Sequence, residues 1–278
     1  MKELLVVARY NENLDWLKEV KQNHIVYNKG INNLPDWVNQ ITIPNIGREE
    51  YVYLKYIHDN YDSLADRIIF CQGDAIYHSP DFLELLKISN LFLSIQPLSF
   101  GYCDSIPQYK NLSSSVHINK NRIHVDLFDR KLFRYCRIGG GKNPIDNGWL
   151  YNFLSKFLST KDVRLGMHNI LGLKPRNFED MELTPMCYAG IFSVIKDRIL
   201  QYPKDYYSKL LCINEIIFKS SKELTFDECF SESSLTYDDN HVITFGYIME
   251  LMWLELYGYE PPKQLFEKVK TIRRNMYL

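Results

Sequence analysis

The sequence predicts an α/β protein: one domain, built on a mostly parallel twisted sheet flanked by helices and followed by a helical C-terminus. Three observations predict it. Short, wholly apolar runs such as residues 68–71 read as strands buried on both faces, as strands of a covered parallel sheet are. These runs alternate with segments of helical periodicity, which implies βαβ units with right-handed crossovers. Each early strand also stops on a polar triplet, at the edge where open α/β sheets receive ligands.

Taken in order, residues 4–7 form the first strand, and residues 9–13 the loop after it. Leu14, Trp16, Leu17 and Val20 fit one face of a short helix. Residues 25–27 form a second strand that ends in Asn28, Lys29 and Gly30, and residues 31–44 read as irregular. A helix is expected from about 48 to 60, with Val52, Tyr56 and Ile57 on its inner face. The strand 68–71 follows, and Gly73 permits a tight exit that leaves Asp74 at the sheet edge. Residues 91–95 are a fourth strand candidate. From 101 to about 180 the pattern weakens into loops, with an inserted helix near 149–158. Residues 186–195 read as another strand, and Pro203 opens a helix to about 219, since its missing donor costs nothing in a first turn. An acidic loop over 225–240 leads to a last helix carrying Val242, Phe245, Met249, Met252, Trp253 and Leu256, with Asn240 as its N-cap.

Bulk properties narrow the function. Lys and Arg number 33 against 34 Asp and Glu, so no one-sided basic surface for nucleic acid is expected. The 20 tyrosines are read as packing residues rather than sugar-stacking platforms. Six dispersed cysteines without a C-x-x-C pair argue against a zinc knuckle. The N-terminus enters a strand without a signal-peptide pattern, and no run approaches the ~18 apolar residues of a membrane span. A cytoplasmic protein with reduced thiols is expected.

The chemistry candidates cluster at strand ends. Arg9, Asn11 and Glu12 suit a loop that grips a nucleotide, against the alternative of an Asn turn capping a helix. Lys29 can meet a diphosphate, although Asn28-Lys29-Gly30 taken alone is an ordinary turn. Arg48 opens a helix after Gly47 and can bind an anion, while Glu49 and Glu50 favour the helix dipole. Asp74 is the strongest candidate, with His78 four residues on: one carboxylate suffices for Mg²⁺ or Mn²⁺ held mainly by substrate phosphates. Its capping alternative is weakened because Ser79-Pro80 already caps the next helix. Glu179 or Asp180 can supply a general base, or form part of a solvated acidic loop. His241 and Glu250 lie on the last helix, and a ligating role for them is remote. Gly139-Gly140-Gly141-Lys142 lacks phosphate-loop spacing, no G-x-G-x-x-G follows the first strand, and no G-x-S-x-G elbow is present.

The motifs Val6-Val-Ala-Arg-Tyr-Asn-Glu12, Tyr27-Asn-Lys-Gly30, Asn45-x-Gly-Arg-Glu49, Asp59-Asn-Tyr-Asp62 and Phe70-x-Gln-Gly-Asp74 occur in that order. Together they resemble a family of uncharacterised proteins catalogued as a domain of unknown function. The segments 187–198 and Tyr202-Pro-x-x-Tyr206, with Glu250-x-x-Trp253, are similar to its C-terminal half. That family in turn resembles a divergent branch of the GT-A glycosyltransferases, single-domain α/β enzymes that use nucleotide sugars. The resemblance implies a nucleotide-binding half over 1–100 and an acceptor-side half over 101–278, with a variable insertion at about 101–180. It implies that Tyr10, Asn11 and Glu12 form the first-strand nucleotide loop. It also places Gln72-Gly73-Asp74 where those enzymes carry an Asp-x-Asp metal motif, with Gln72 in place of the first acid.

The expected function is transfer of a sugar from a nucleotide-sugar donor to a polysaccharide or glycolipid precursor. A divalent cation (Mn²⁺ or Mg²⁺) would sit at Asp74 and His78. Arg9, Tyr10, Asn11, Glu12, Asn28, Lys29, Arg48 and Gln72 would shape the donor pocket, with Glu179 or Asp180 as base. Neither nucleic acid nor a transmembrane segment is expected, and peripheral membrane contact stays open. The alternative is a catalytically inactive nucleotide- or carbohydrate-binding protein of the same fold. A metal-dependent phosphoesterase is a third option, short of ligands around Asp74.

Overall fold

The computed structural model describes residues 2–79, 82–87, 95–97, 116–119, 122–126, 132–137, 163–173, 183–185, 187–221 and 245–258. Its main sheet contains β1 (Glu3–Arg9), β2 (Asn23–Asn28), β3 (Gln40–Thr42), β4 (Arg67–Gln72), β5 (Ile95–Pro97) and β10 (Phe192–Ile195). The spatial order is β3-β2-β1-β4-β10-β5. β1 to β4 run parallel, whereas β10 is antiparallel to both its neighbours, so the sheet is mixed. The chain lays β2 and β3 on one side of β1 and then returns to place β4 on the other. In open α/β sheets such a reversal is where ligands are received, here beyond the carboxyl ends of β1 and β4. Register sets the strand ends level: Arg9 pairs with Asn28, Asn28 with Thr42, and Ala8 with Gln72.

Alternation along the strands supplies two faces. Val6, Ala8, Ile68, Phe70, Phe192 and Val194 face one core, and Leu5, Val7, Val26, Ile69 and Cys71 the other. The first core is covered by α1 (Glu49–Asp59), α6 (Lys204–Ser221) and α7 (Phe245–Leu256). α1 packs against β1 and β4 and also against α6 and α7, which explains why eight of its eleven residues are buried. The face is strongly aromatic: Tyr53 stacks tilted on Phe70 at 4.7 Å, and Phe192 meets Trp253 at 5.2 Å. Side chains of this size contribute about 1.5–3 kcal/mol each when fully buried. Tyr27, Tyr51, Tyr53, Tyr56, Tyr207 and Tyr257 are all buried, in keeping with the packing reading of the tyrosines. The second core is thinner, with Leu17 of a 3₁₀ turn (Asp15–Glu19), Leu14 at its N-cap, and Phe82 and Leu86 of α3 (Phe82–Lys87).

Several boundaries depart from expectation. β3 lies inside the segment read as irregular, where it adds an edge strand by pairing only with β2 among the described residues. The strand expected at 186–195 is shorter: a 3₁₀ turn (Tyr188–Gly190) precedes β10, and the single-turn α5 (Lys196–Ile199) follows it. The middle of the chain, read as loops, holds β6 (Val116–Asn119), β7 (Arg122–Asp126) and β8 (Leu132–Arg137), which join β9 (Leu183–Pro185) in an antiparallel sheet ordered β6-β7-β8-β9. It also holds α4 (Val163–Leu171). The helix expected near 149–158, the loop 225–240 with its Asn240 cap, His241 and residues 259–278 lie outside the described residues. Among the described residues no helix is long and apolar enough to cross a membrane.

Candidate functional site

The ends of β1, β2 and β4 are laced together by close backbone approach, and glycines make that approach sterically feasible. A Cβ on Gly30 would overlap the Tyr10 carbonyl. One on Gly73 would stand 2.7 Å from Glu12 Oε2 and 3.0 Å from Glu12 Cβ. The Gly73 N–H donates to Ala8 O at 2.8 Å, and Trp16 Nε1 donates to Gly73 O at 2.8 Å. The loops after β1 and β4 therefore form one contiguous wall.

Arg9 braces that wall from beneath. It is buried, and four of its five guanidinium N–H groups are engaged: with Glu12 O at 3.0 Å, Asn28 Oδ1 at 2.8 Å, Ile31 O at 2.9 Å and Asn33 Oδ1 at 2.8 Å. Asn28 is fully buried, accepts from Gly30 N, and donates to Ile31 O and Gln40 Oε1. Asn11 Oδ1 accepts from Ile31 N at 3.0 Å. Arg9 and Asn28 thus spend their polar groups on holding these loops in shape. Tyr10 is half exposed, and Glu12 turns back to accept from Tyr10 N at 2.6 Å.

A second group of charges stands at the start of α1. Gly47 has φ of +58°, a left-handed conformation that favours glycine, and a Cβ there would lie 2.5 Å from Asn214 Oδ1. Lys29 Nζ donates to Gly47 O at 3.1 Å and Arg48 O at 2.8 Å, leaving one N–H of its three for another partner. Burial lowers the Lys29 pKa, opposed by the charges of Glu50, Glu49 and Glu12. Glu50, read from sequence as a dipole partner, is buried. It accepts from Arg48 N at 3.1 Å and Asn214 Nδ2 at 2.9 Å. Burial, then the neighbouring Glu49, pushes its carboxyl up. Arg48 stays partly exposed, with Nε 3.5 Å from Glu49 Oε2.

Asp74 follows β4 at the reversal point, at the N-cap of the single-turn α2 (Ala75–His78), with no side-chain capping bond. Its side chain is 37% exposed, and Oδ2 lies 3.1 Å from His78 Nε2. Burial favours its neutral form, but the hydrogen bond and charge of His78, helped by Arg48, hold the carboxyl below its ordinary range. Gln72 points the other way and donates Nε2 to Ala189 O at 2.7 Å. Ala189 is a non-glycine residue with φ of 53°, clamped on both sides, because its own N–H donates to Glu250 Oε1 at 3.1 Å. Such strain persists only where surroundings over-determine it, and it concentrates at functional sites. Glu250, from α7, has a carboxyl pushed up to about 7 by burial, with Glu49 adding and Arg48 and His78 opposing.

The structure therefore brings together Tyr10, Asn11, Glu12, Lys29, Arg48, Asp74 and His78 along one edge, with Arg9, Asn28 and Gln72 behind them. Glu179 and Asp180 lie outside the described residues. Sequence reasoning gave Glu49 and Glu50 only a helix-dipole role and Glu250 only a remote ligating one. The available signal was an acid between Met249 and Leu251 in a helix whose remaining residues, Glu255 apart, carry no charge. Among the described residues no three His, Cys, Asp or Glu side chains are grouped to hold a metal ion. One Asp74 oxygen is engaged by His78, so this donor set fits a cation shared with a diphosphate rather than an all-protein cage.

Comparison with known families adds one finding. Residues 5–131 match a family model described as Protein of unknown function (DUF3431). That stretch carries β1 to β4 and each strand-end candidate from Arg9 to His78, whereas Glu250 falls beyond it. Neither the curated proteins nor the solved structures searched gave a match.

Proposed function

We propose that this chain is a GT-A-like glycosyltransferase that moves a sugar from a nucleotide-sugar donor to a carbohydrate or glycolipid acceptor. The observation that carries the reading is Asp74: an ionised, partly exposed carboxylate at the reversal point between β1 and β4. The half-exposed Tyr10 and the Asn11 loop border it on the β1 side, and Lys29 and Arg48 bring positive charge from β2 and α1. A bound Mg²⁺ or Mn²⁺ at Asp74 would neutralise charge on the donor's diphosphate. This chain's own part is to orient that carboxylate through His78, to present Arg48 to a phosphate, and to fix the loop walls through Arg9. Gln72 is explained without a lost acid. Its position requires a donor toward the Ala189 carbonyl, which a carboxylate cannot supply.

Calorimetry of the full chain against a panel of nucleotide sugars, with and without Mn²⁺, tests the reading. One donor should bind, more tightly with the cation, and Asp74→Asn should weaken it at least tenfold with folding intact. Absence of binding by every donor would overturn the proposal.

A further inference from the structure

We infer that Glu250 is the catalytic base of this crevice, taking the proton from the acceptor hydroxyl; this rests on the glycosyl-transfer reading above. Three geometric facts carry it. First, Glu250 Oε1 is fixed by the Ala189 N–H at 3.1 Å, so the carboxyl has a set orientation on a helix whose flanking residues Met249, Met252, Trp253 and Leu254 are fully buried. Secondly, Oε1 takes the Ala189 N–H while Oε2 makes no hydrogen bond among the described residues, and Glu250 is only partly buried. That oxygen is therefore open to a further partner. Thirdly, the strained turn that orients Glu250 is held on its other side by Gln72, two residues before Asp74. One short link thus ties the two carboxylates.

The electrostatics agree. Glu250 is faced by Glu49 and Arg48 from the start of α1, by His78 from α2, and by the buried Cys187 thiol beside the strained turn. Burial and Glu49 leave it able to accept a proton near neutrality, while Asp74 stays ionised. Two carboxyls driven apart in this way mark a division of roles. In the step, Glu250 Oε2 removes the hydroxyl proton as that oxygen bonds to the donor's anomeric carbon. The bond from that carbon to the diphosphate breaks, and its electron pair leaves with the nucleoside diphosphate.

The test compares wild type with Glu250→Gln in the full chain, reading both donor binding and turnover. Gln keeps an oxygen for the Ala189 N–H, so donor affinity should stay within about twofold. Turnover should fall by at least about 10²-fold, the contribution expected of a positioned base. The wild-type rate should rise with pH on a limb centred near 7, absent from the residual Gln rate. Equal turnover in the two proteins, or a wild type that binds donor but transfers nothing between pH 6 and about 9, overturns the assignment while leaving donor binding intact. A wild type that binds no donor removes the glycosyl-transfer reading, and this assignment with it.

Discussion

Replacing Glu250 by Gln probes this partly buried acid independently of any substrate. The group's pKa stands at about 7 against an ordinary 4.5, so between those values the folded protein holds more protons than the unfolded chain. Stability attributable to Glu250 therefore falls as pH rises through that window, because ionisation in the folded state is the costlier. A shift of this size corresponds to about 3 kcal/mol, an upper value because the side chain is only partly buried. Gln cannot ionise and keeps the acceptor for Ala189 N–H. The variant should match wild type or be slightly weaker at pH 4.5, then gain on it by up to about 3 kcal/mol by pH 8.5. Urea unfolding of both proteins at five pH values, with slopes held equal, measures the difference. A difference flat to within about 0.5 kcal/mol across that range would show that the carboxyl is solvated and refute the electrostatic account.

Other perturbations follow from the same contacts. Gln72→Glu should cost about 2–4 kcal/mol in urea unfolding, since it sets a carboxylate against the Ala189 carbonyl; unchanged stability would mean that the 2.7 Å bond does not form. Gly30→Ala should cost at least about 2 kcal/mol, because its methyl group meets the Tyr10 carbonyl, and thermal unfolding would expose a tolerant loop if the cost is small. Asp74→Asn should change stability by less than about 1 kcal/mol at pH 7, the pair with His78 being partly solvated. Any such loss should vanish as pH falls through the depressed Asp74 value, since only the ionised form is favoured by the fold; a deficit persisting in acid would contradict this.

The apolar runs at β1, β2 and β4 and the inner face of α1 are legible because burial on both sides leaves no polar residue inside a parallel strand. The strand ends are legible for the complementary reason, that polar triplets cannot continue a buried strand. The small sheet was missed although its strands alternate, as in Val116-His-Ile-Asn119 and Arg122-Ile-His-Val-Asp126 with two residues between them. A half-polar hairpin carries a weaker signal than a wholly apolar run. The reversed direction of β10 has no signature in its own residues. Gln72 looked like a lost acid because its partner, Ala189, lies 117 residues away. Glu50 looked like a dipole partner because Asn214, which receives it, comes from α6. Long-range polar partners are what a local reading lacks, and Glu250 is the most consequential case.

The central claim is that the carboxyl ends of β1 and β4, with Lys29 and Arg48 beside them, form one anion-receiving crevice around Asp74. A crystal structure of the full chain soaked with a nucleoside diphosphate and Mn²⁺ addresses it most directly. The account predicts phosphate density within about 4 Å of both the Asp74 carboxylate and the Arg48 guanidinium, bridged by the cation. Density at another face of the sheet, or strand ends that stand apart with Asp74 turned to bulk solvent, would contradict it.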